Sequence, residues 1–138
     1  RPMSVTFHRA FDGVRDPVEA LEDLIAMGID RVLTSGQERT ALDGLDLIKD
    51  LVLRARGRII VLPGGGIDEG NVAKIVRQAG VREVHASARG TAESRMVHRN
   101  PRCFLGAGPR AAEDSHGVTD AARVAAMLRA VREDARDA

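Results

Sequence analysis

The sequence predicts an α/β fold built of parallel βα units, on three observations. Short apolar runs of strand length alternate with longer segments whose apolar residues recur at helical spacing. Glycine follows the helical segments at Gly28, Gly57 and Gly80, where a chain leaving a helix commonly turns left-handed. The run from Arg58 to Leu62 is almost continuously apolar, the pattern of a strand buried on both faces of a parallel sheet. Four such units fit in 138 residues, an ordinary length for one domain. Residues 1–138 are therefore read as a single domain.

The elements follow in order. Ser4 to Phe7 is the first strand, and a turn through Asp12 and Gly13 leads to a helix with Asp16 as its N-cap and Pro17 at its first position. Val18, Leu21, Leu24 and Ile25 form its apolar stripe. Arg31 to Thr34 is the second strand, followed by a helix from about Thr40 with Leu42, Leu45, Ile48, Leu51 and Val52 on one face. The third strand breaks at Pro63-Gly64-Gly65-Gly66, and the next helix carries Val72, Ile75 and Val76. Glu83 to Ala86 is the fourth strand. Residues 88–117 show no periodicity and are expected to be one long loop, of a length seen in lids and in disordered segments. A last helix starts near Thr119, with Ala122, Val124, Met127, Leu128 and Val131 facing inward.

Four units are half of the number that closes an eight-stranded barrel, and an open doubly wound sheet is the competing arrangement. A half-barrel standing alone leaves strand edges unpaired and apolar helix faces uncovered. The chain is accordingly expected either to form a homo-oligomer or to need a missing N-terminal half-barrel.

Composition narrows the function classes. With 43% hydrophobic and 30% charged residues, neither disorder nor a membrane span fits, and no apolar run reaches bilayer length. The 21 basic and 20 acidic side chains leave a net charge of +1, so any anion preference must be local. Arg89, Arg95, Arg99, Arg102 and Arg110 lie in the long loop without the aromatic residues that stack on bases, and no nucleic-acid partner is expected. The single cysteine, Cys103, excludes an internal disulfide and fits a reducing compartment. The chain enters its first strand directly from Arg1-Pro2-Met3, so no leader is expected and further sequence upstream is.

Four segments sit where parallel strands end: Thr6-Phe7-His8-Arg9-Ala10-Phe11-Asp12, Val32-Leu33-Thr34-Ser35-Gly36-Gln37, Gly64-Gly65-Gly66 with Asn71, and Glu83-Val84-His85-Ala86-Ser87-Ala88. In this order and spacing the set resembles the CutC copper-homeostasis family, and the likeness runs on through Met96 to Asn100 and the final helix. The resemblance implies the C-terminal half of a TIM-type (β/α)₈ barrel, a cytoplasmic location and a link to copper, by which Cu(I) binding is expected. It also implies that the family's cysteine-rich strand ends, the usual candidates for Cu(I), belong to the other half of the barrel and are absent here.

Both parallel architectures place their chemistry at the carboxyl ends of strands. His8 and Arg9 should point in opposite directions by strand alternation, with His8 a candidate acid/base or ligand and Arg9 paired with Asp12 or with a substrate carboxylate. A purely structural Arg9–Asp12 pair is the alternative. Thr34, Ser35, Gly36 and Gln37 offer hydroxyl, amide and N–H donors to a polar small molecule, or else cap the following helix. Gly64, Gly65 and Gly66 let the backbone approach a ligand closely. With Ser87 and Arg89 they would occupy the loops that hold phosphate in many barrels, or they simply form a tight turn. His85 is either catalytic or buried in a hydrogen-bonded network. Met96, His98, Cys103 and His116 are the soft or borderline metal-ligand types of the long loop, but their spacing matches no metal motif and a solvated loop that happens to contain them is the favoured alternative. Two functions follow: a CutC-like protein that binds copper and a small anionic ligand, or an enzyme acting on a small phosphorylated or carboxylated molecule with His8 or His85 as acid/base and Arg9 as anchor.

Overall fold

A computed structural model describes residues 3–98, 100, 102 and 114–136. Strand β1 (Thr6–Phe7) leads through a 3-10 turn (Arg9–Gly13) into helix α1 (Pro17–Ala26). Strand β2 (Arg31–Thr34) and helix α2 (Leu45–Ala55) follow, then strand β3 (Ile60–Pro63) and helix α3 (Val72–Ala79). Strands β4 (Arg89–Glu93) and β5 (Ser115–Thr119) precede helix α4 (Ala121–Asp134). The molecule is thus a mixed α/β fold with four helices around a parallel sheet ordered β1-β2-β3, beside a separate two-stranded sheet. Thr6 pairs with Arg31, and Arg31 in turn with Ile60, so the parallel strands run in step.

Local chemistry explains most of these boundaries. Asp16 accepts hydrogen bonds from the N–H groups of Val18 and Glu19 at 2.9 and 3.0 Å, and Pro17 needs no donor partner, so α1 begins there. Asp120 caps α4 in the same way, with Ala122 N–H donating at 2.7 Å. Gly80, at φ +69°, ends α3 by donating its N–H to the Val76 carbonyl. The core gathers Phe11, Leu21, Leu24, Val32, Ile48, Leu51, Val61, Val72 and Ile75, all essentially buried. Each contributes about 1.5–3 kcal/mol through apolar surface removed from water.

Several expectations need correction. The third strand is buried on one face only: Val32, Thr34, Val61 and Pro63 are buried among the helices, whereas Arg31, Leu33, Ile60 and Leu62 are half-buried. The fourth strand contracts to a single parallel bridge between Gly64 and His85, in which the His85 N–H donates to the Pro63 carbonyl at 2.8 Å. A terminal strand gains ladder bonds on one side only, and the Glu83 carboxylate accepts from the Arg31 guanidinium two strands away at 2.7 Å. Residues 88–117 are not one loop, because β4 and β5 pair antiparallel with Thr91 opposite Gly117. Helix α2 begins at Leu45 rather than near Thr40, since Thr40 to Gly44 form a turn closed by the Gly44 N–H on the Thr40 carbonyl at 3.1 Å. Strand alternation does not reach His8 and Arg9, because β1 stops at Phe7 and His8 caps the 3-10 turn. In α4, Met127 is buried while Val124 and Leu128 are exposed, so the inward face is rotated from the expected one. Ion pairs from Arg77 of α3 to Asp134 and from Arg123 to Glu69 flank that face.

Candidate functional site

The ends of β1 and β2 are tied together by one carboxylate. Asp12 Oδ1 accepts from the Thr34 hydroxyl at 2.5 Å and from the N–H groups of Ser35 and Gln37 at 3.1 and 3.2 Å. Its Oδ2 accepts from Arg9 Nε at 2.6 Å and lies 3.0 Å from the Ser35 hydroxyl. Burial raises the Asp12 pKa, but the hydrogen bonds from Thr34, Arg9, Ser35 and Gln37 together outweigh it and hold the carboxyl below the ordinary aspartate value. Thr34 and Ser35 are fully buried, and the Thr34 hydroxyl also accepts from the Gly36 N–H at 2.9 Å. Gln37 spends its amide on the Val14 carbonyl at 2.7 Å. These side chains are therefore committed to positioning the loop.

Arg9 is held on two sides by this scaffold. Its Nη2 donates to Ser35 Oγ at 2.5 Å and to the Glu38 carbonyl at 3.4 Å, while Nε serves Asp12. Nη1 has no hydrogen-bond partner among the described residues, and a Cβ placed on Gly65 would lie 3.0 Å from it. Gly65 has φ +113°, a conformation favouring glycine, so its missing side chain is what lets the guanidinium sit against the turn. The turn itself is stitched down by Ala41 N–H on the Gly65 carbonyl at 2.9 Å and by Asn71 Nδ2 on the Gly66 carbonyl at 2.7 Å.

Beyond the turn, a cleft of about 290 Å³ opens between the ends of β2 and β3 and the His85 bridge. Arg9, Gly64, Gly65, Gly66, His85 and Ser87 line it, with Leu33, Ile67 and Ala86 supplying apolar wall. The His85 ring is exposed in it and, like the Ser87 hydroxyl and the Gly66 N–H, makes no hydrogen bond among the described residues. Among the described residues no acidic side chain lines the cleft.

The structure thus brings together Arg9, the three glycines, His85 and Ser87, and sets Asp12, Thr34, Ser35 and Gln37 behind them as support. Gly36 faces Gly44 rather than the cleft, since a Cβ on it would lie 2.2 Å from the Gly44 carbonyl oxygen. His8 lies outside the cleft lining, where its Nδ1 accepts from the Ala10 N–H at 3.0 Å and its ring tilts against Phe7. Met96 and His98 are exposed, His116 stands opposite Ala92 in the antiparallel ribbon, and Cys103 lies outside the described residues. Among the described residues no three His, Cys, Asp or Glu side chains gather as candidate metal ligands. Leu33, Ile67 and Ala86 were not foreseen as lining. Leu33 was the legible one, since it shares strand parity with half-buried Arg31 rather than with buried Val32.

The model of the CutC family matches residues 1–90, which contain every residue lining the cleft. The chain belongs to the CutC family. It is 51% identical over 124 residues to the copper homeostasis protein cutC homolog of Homo sapiens, covering 90% of this chain and 45% of that protein. The Mus musculus homolog is 48% identical, with coverage of 97% and 49%. A crystal structure of CutC from Streptococcus agalactiae matches with a TM-score of 0.57 at 31% identity, over 60% of this chain and 41% of that one. This CutC chain therefore spans about half the length of the curated relatives it matches. No helix among the described residues is long and apolar enough to cross a membrane.

Proposed function

We propose that this CutC-family chain takes part in copper homeostasis in the cytoplasm, as half of a TIM-type barrel whose strand-end cleft binds a small anionic ligand. The copper link comes from the names of its relatives, copper homeostasis proteins 48–51% identical to it. The anion reading rests on one observation: Arg9, Gly66, His85 and Ser87 line one cleft, where Arg9 Nη1, the Gly66 N–H, the Ser87 hydroxyl and the His85 ring have no partner among the described residues, while the Asp12 carboxylate is taken up by Arg9 Nε and the donors behind it. Donors left without partners in a concave site gain most from a ligand that carries acceptors. The barrel reading is supported by parallel strands in register, a sheet with one face buried and the other half-buried, and the likeness to a CutC crystal structure.

Calorimetry separates the two components. Titration with inorganic phosphate should give saturable binding that Arg9→Met abolishes, and absence of heat with phosphate would overturn the anion reading. Titration with Cu(I) should give binding weakened by Cys103→Ser, because thiolate is the strongest Cu(I) ligand type in the chain. Unchanged Cu(I) affinity in that variant would remove Cys103 from the copper role. A second reading, an enzyme acting on the bound anion, is favoured by His85, which lines the same cleft beside the glycine turn and carries the side chain most used in proton transfer. It requires turnover of a phosphorylated or carboxylated compound that His85→Gln suppresses while binding persists.

A further inference from the structure

Resting on the anion reading above, we infer that the cleft selects a tetrahedral oxyanion of the phosphate type over a planar carboxylate. The selectivity originates in how Arg9 is already used. A guanidinium reads a carboxylate best by offering two nitrogens side by side, and it has two such edges, Nε with Nη2 and Nη1 with Nη2. Both edges include Nη2, and Nη2 is held by Ser35 Oγ at 2.5 Å while Nε is held by Asp12 Oδ2 at 2.6 Å. The two-pronged grip is therefore closed, and Arg9 presents one nitrogen, Nη1, to the cleft.

The other donors approach from separate elements. Gly66 lines the cleft from the turn after β3 with its N–H unpartnered among the described residues, whereas His85, in the parallel bridge, and Ser87 just after it line it from the next segment. Single donors arriving from separate elements suit a group whose oxygens point in different directions. A phosphate offers at least three such oxygens, while a carboxylate offers two in one plane. Gly65, at φ +113°, carries no Cβ against Arg9 Nη1, where one would lie 3.0 Å away, so the space beside that nitrogen stays open. Leu33, Ile67 and Ala86 leave apolar wall for a small organic body attached to the phosphate.

The test is calorimetry on the full chain with inorganic phosphate, methyl phosphate and acetate as probes. Phosphate and methyl phosphate should each bind at least about tenfold more tightly than acetate, the scale of one well-made hydrogen bond to a charged group. Ser87→Ala, a change at an exposed residue, should weaken phosphate by about tenfold and acetate by less. Gly65→Ala should abolish phosphate binding by displacing Nη1, with the far-UV spectrum showing that the variant folds. Methyl phosphate binding as tightly as inorganic phosphate identifies an ester as the source of the anion, and weaker methyl phosphate binding identifies free phosphate. Both results support tetrahedral selection. Acetate binding as tightly as phosphate overturns the selectivity and leaves the anion reading standing. No binding of any probe overturns both.

Discussion

At the scale of single residues, Asp12 organises more of this site than any side chain that faces the cleft. It gathers donors from Arg9, Thr34, Ser35 and Gln37, and its own side chain is only 12% exposed. Asp12→Ala should cost about 3 kcal/mol, because it strands a guanidinium, a hydroxyl and backbone N–H groups that have no replacement partners. The measurement is a urea unfolding midpoint followed by far-UV circular dichroism, since the chain has neither Trp nor Tyr to report. The same residue sets a pH dependence. Its folded pKa lies below its unfolded one, so its stabilisation is complete above about pH 4 and fades as pH falls through the folded value. The midpoint of the parent chain should fall with acidification below about pH 4 more steeply than that of Asp12→Ala. An Arg9–Asp12 pair was one of the arrangements the sequence left open, and the structure forms it. The partners on Thr34, Ser35 and Gln37 were not legible, because those contacts join segments more than twenty residues apart and no local pattern encodes them.

At the scale of elements, caps and turns decide what the sequence reveals. Helix α1 was readable from Asp16 and Pro17 because an N-cap is a local device. The start of α2 was misplaced because it depends on Gly36 meeting Gly44 backbone to backbone, a contact that leaves no periodic trace. A methyl group at position 36 would face the Gly44 carbonyl at 2.2 Å from a residue at φ +72°, so Gly36→Ala should lower stability by about 3 kcal/mol or more. Ile48, fully buried on α2, should lose about 2–5 kcal/mol as Ile48→Ala through the cavity it leaves. Thermal unfolding of the two variants checks both. Strands β4 and β5 escaped notice because Arg89, Gly90, Glu93, His116 and Gly117 make an exposed polar ribbon without the apolar alternation of a core strand.

At the scale of the whole molecule, the sheet has one face buried among its helices and one half-exposed. Val61 and Leu62, adjacent in β3, point to opposite sides, and only Val61 is buried. Val61→Asn should therefore unfold the chain far more readily than Leu62→Asn, by a difference of about 2 kcal/mol in the unfolding free energy. Equal losses would show both faces packed. The α/β class and the three-stranded parallel sheet were legible from the alternation of runs and glycines, whereas the antiparallel pair β4–β5 was not. The asymmetry of the sheet was not, because an apolar run reads the same whether one or both of its faces are covered.

The central claim is that the polar groups at the strand ends form one anion site, and amide chemical shifts measured during a phosphate titration test it most directly. The account predicts saturable shifts at Gly65, Gly66 and Ser87 with a common affinity, while Gly57, Gly80 and Arg82, which line a separate cavity, stay in place. Shifts confined to that second cavity, or none at any phosphate concentration, would contradict it.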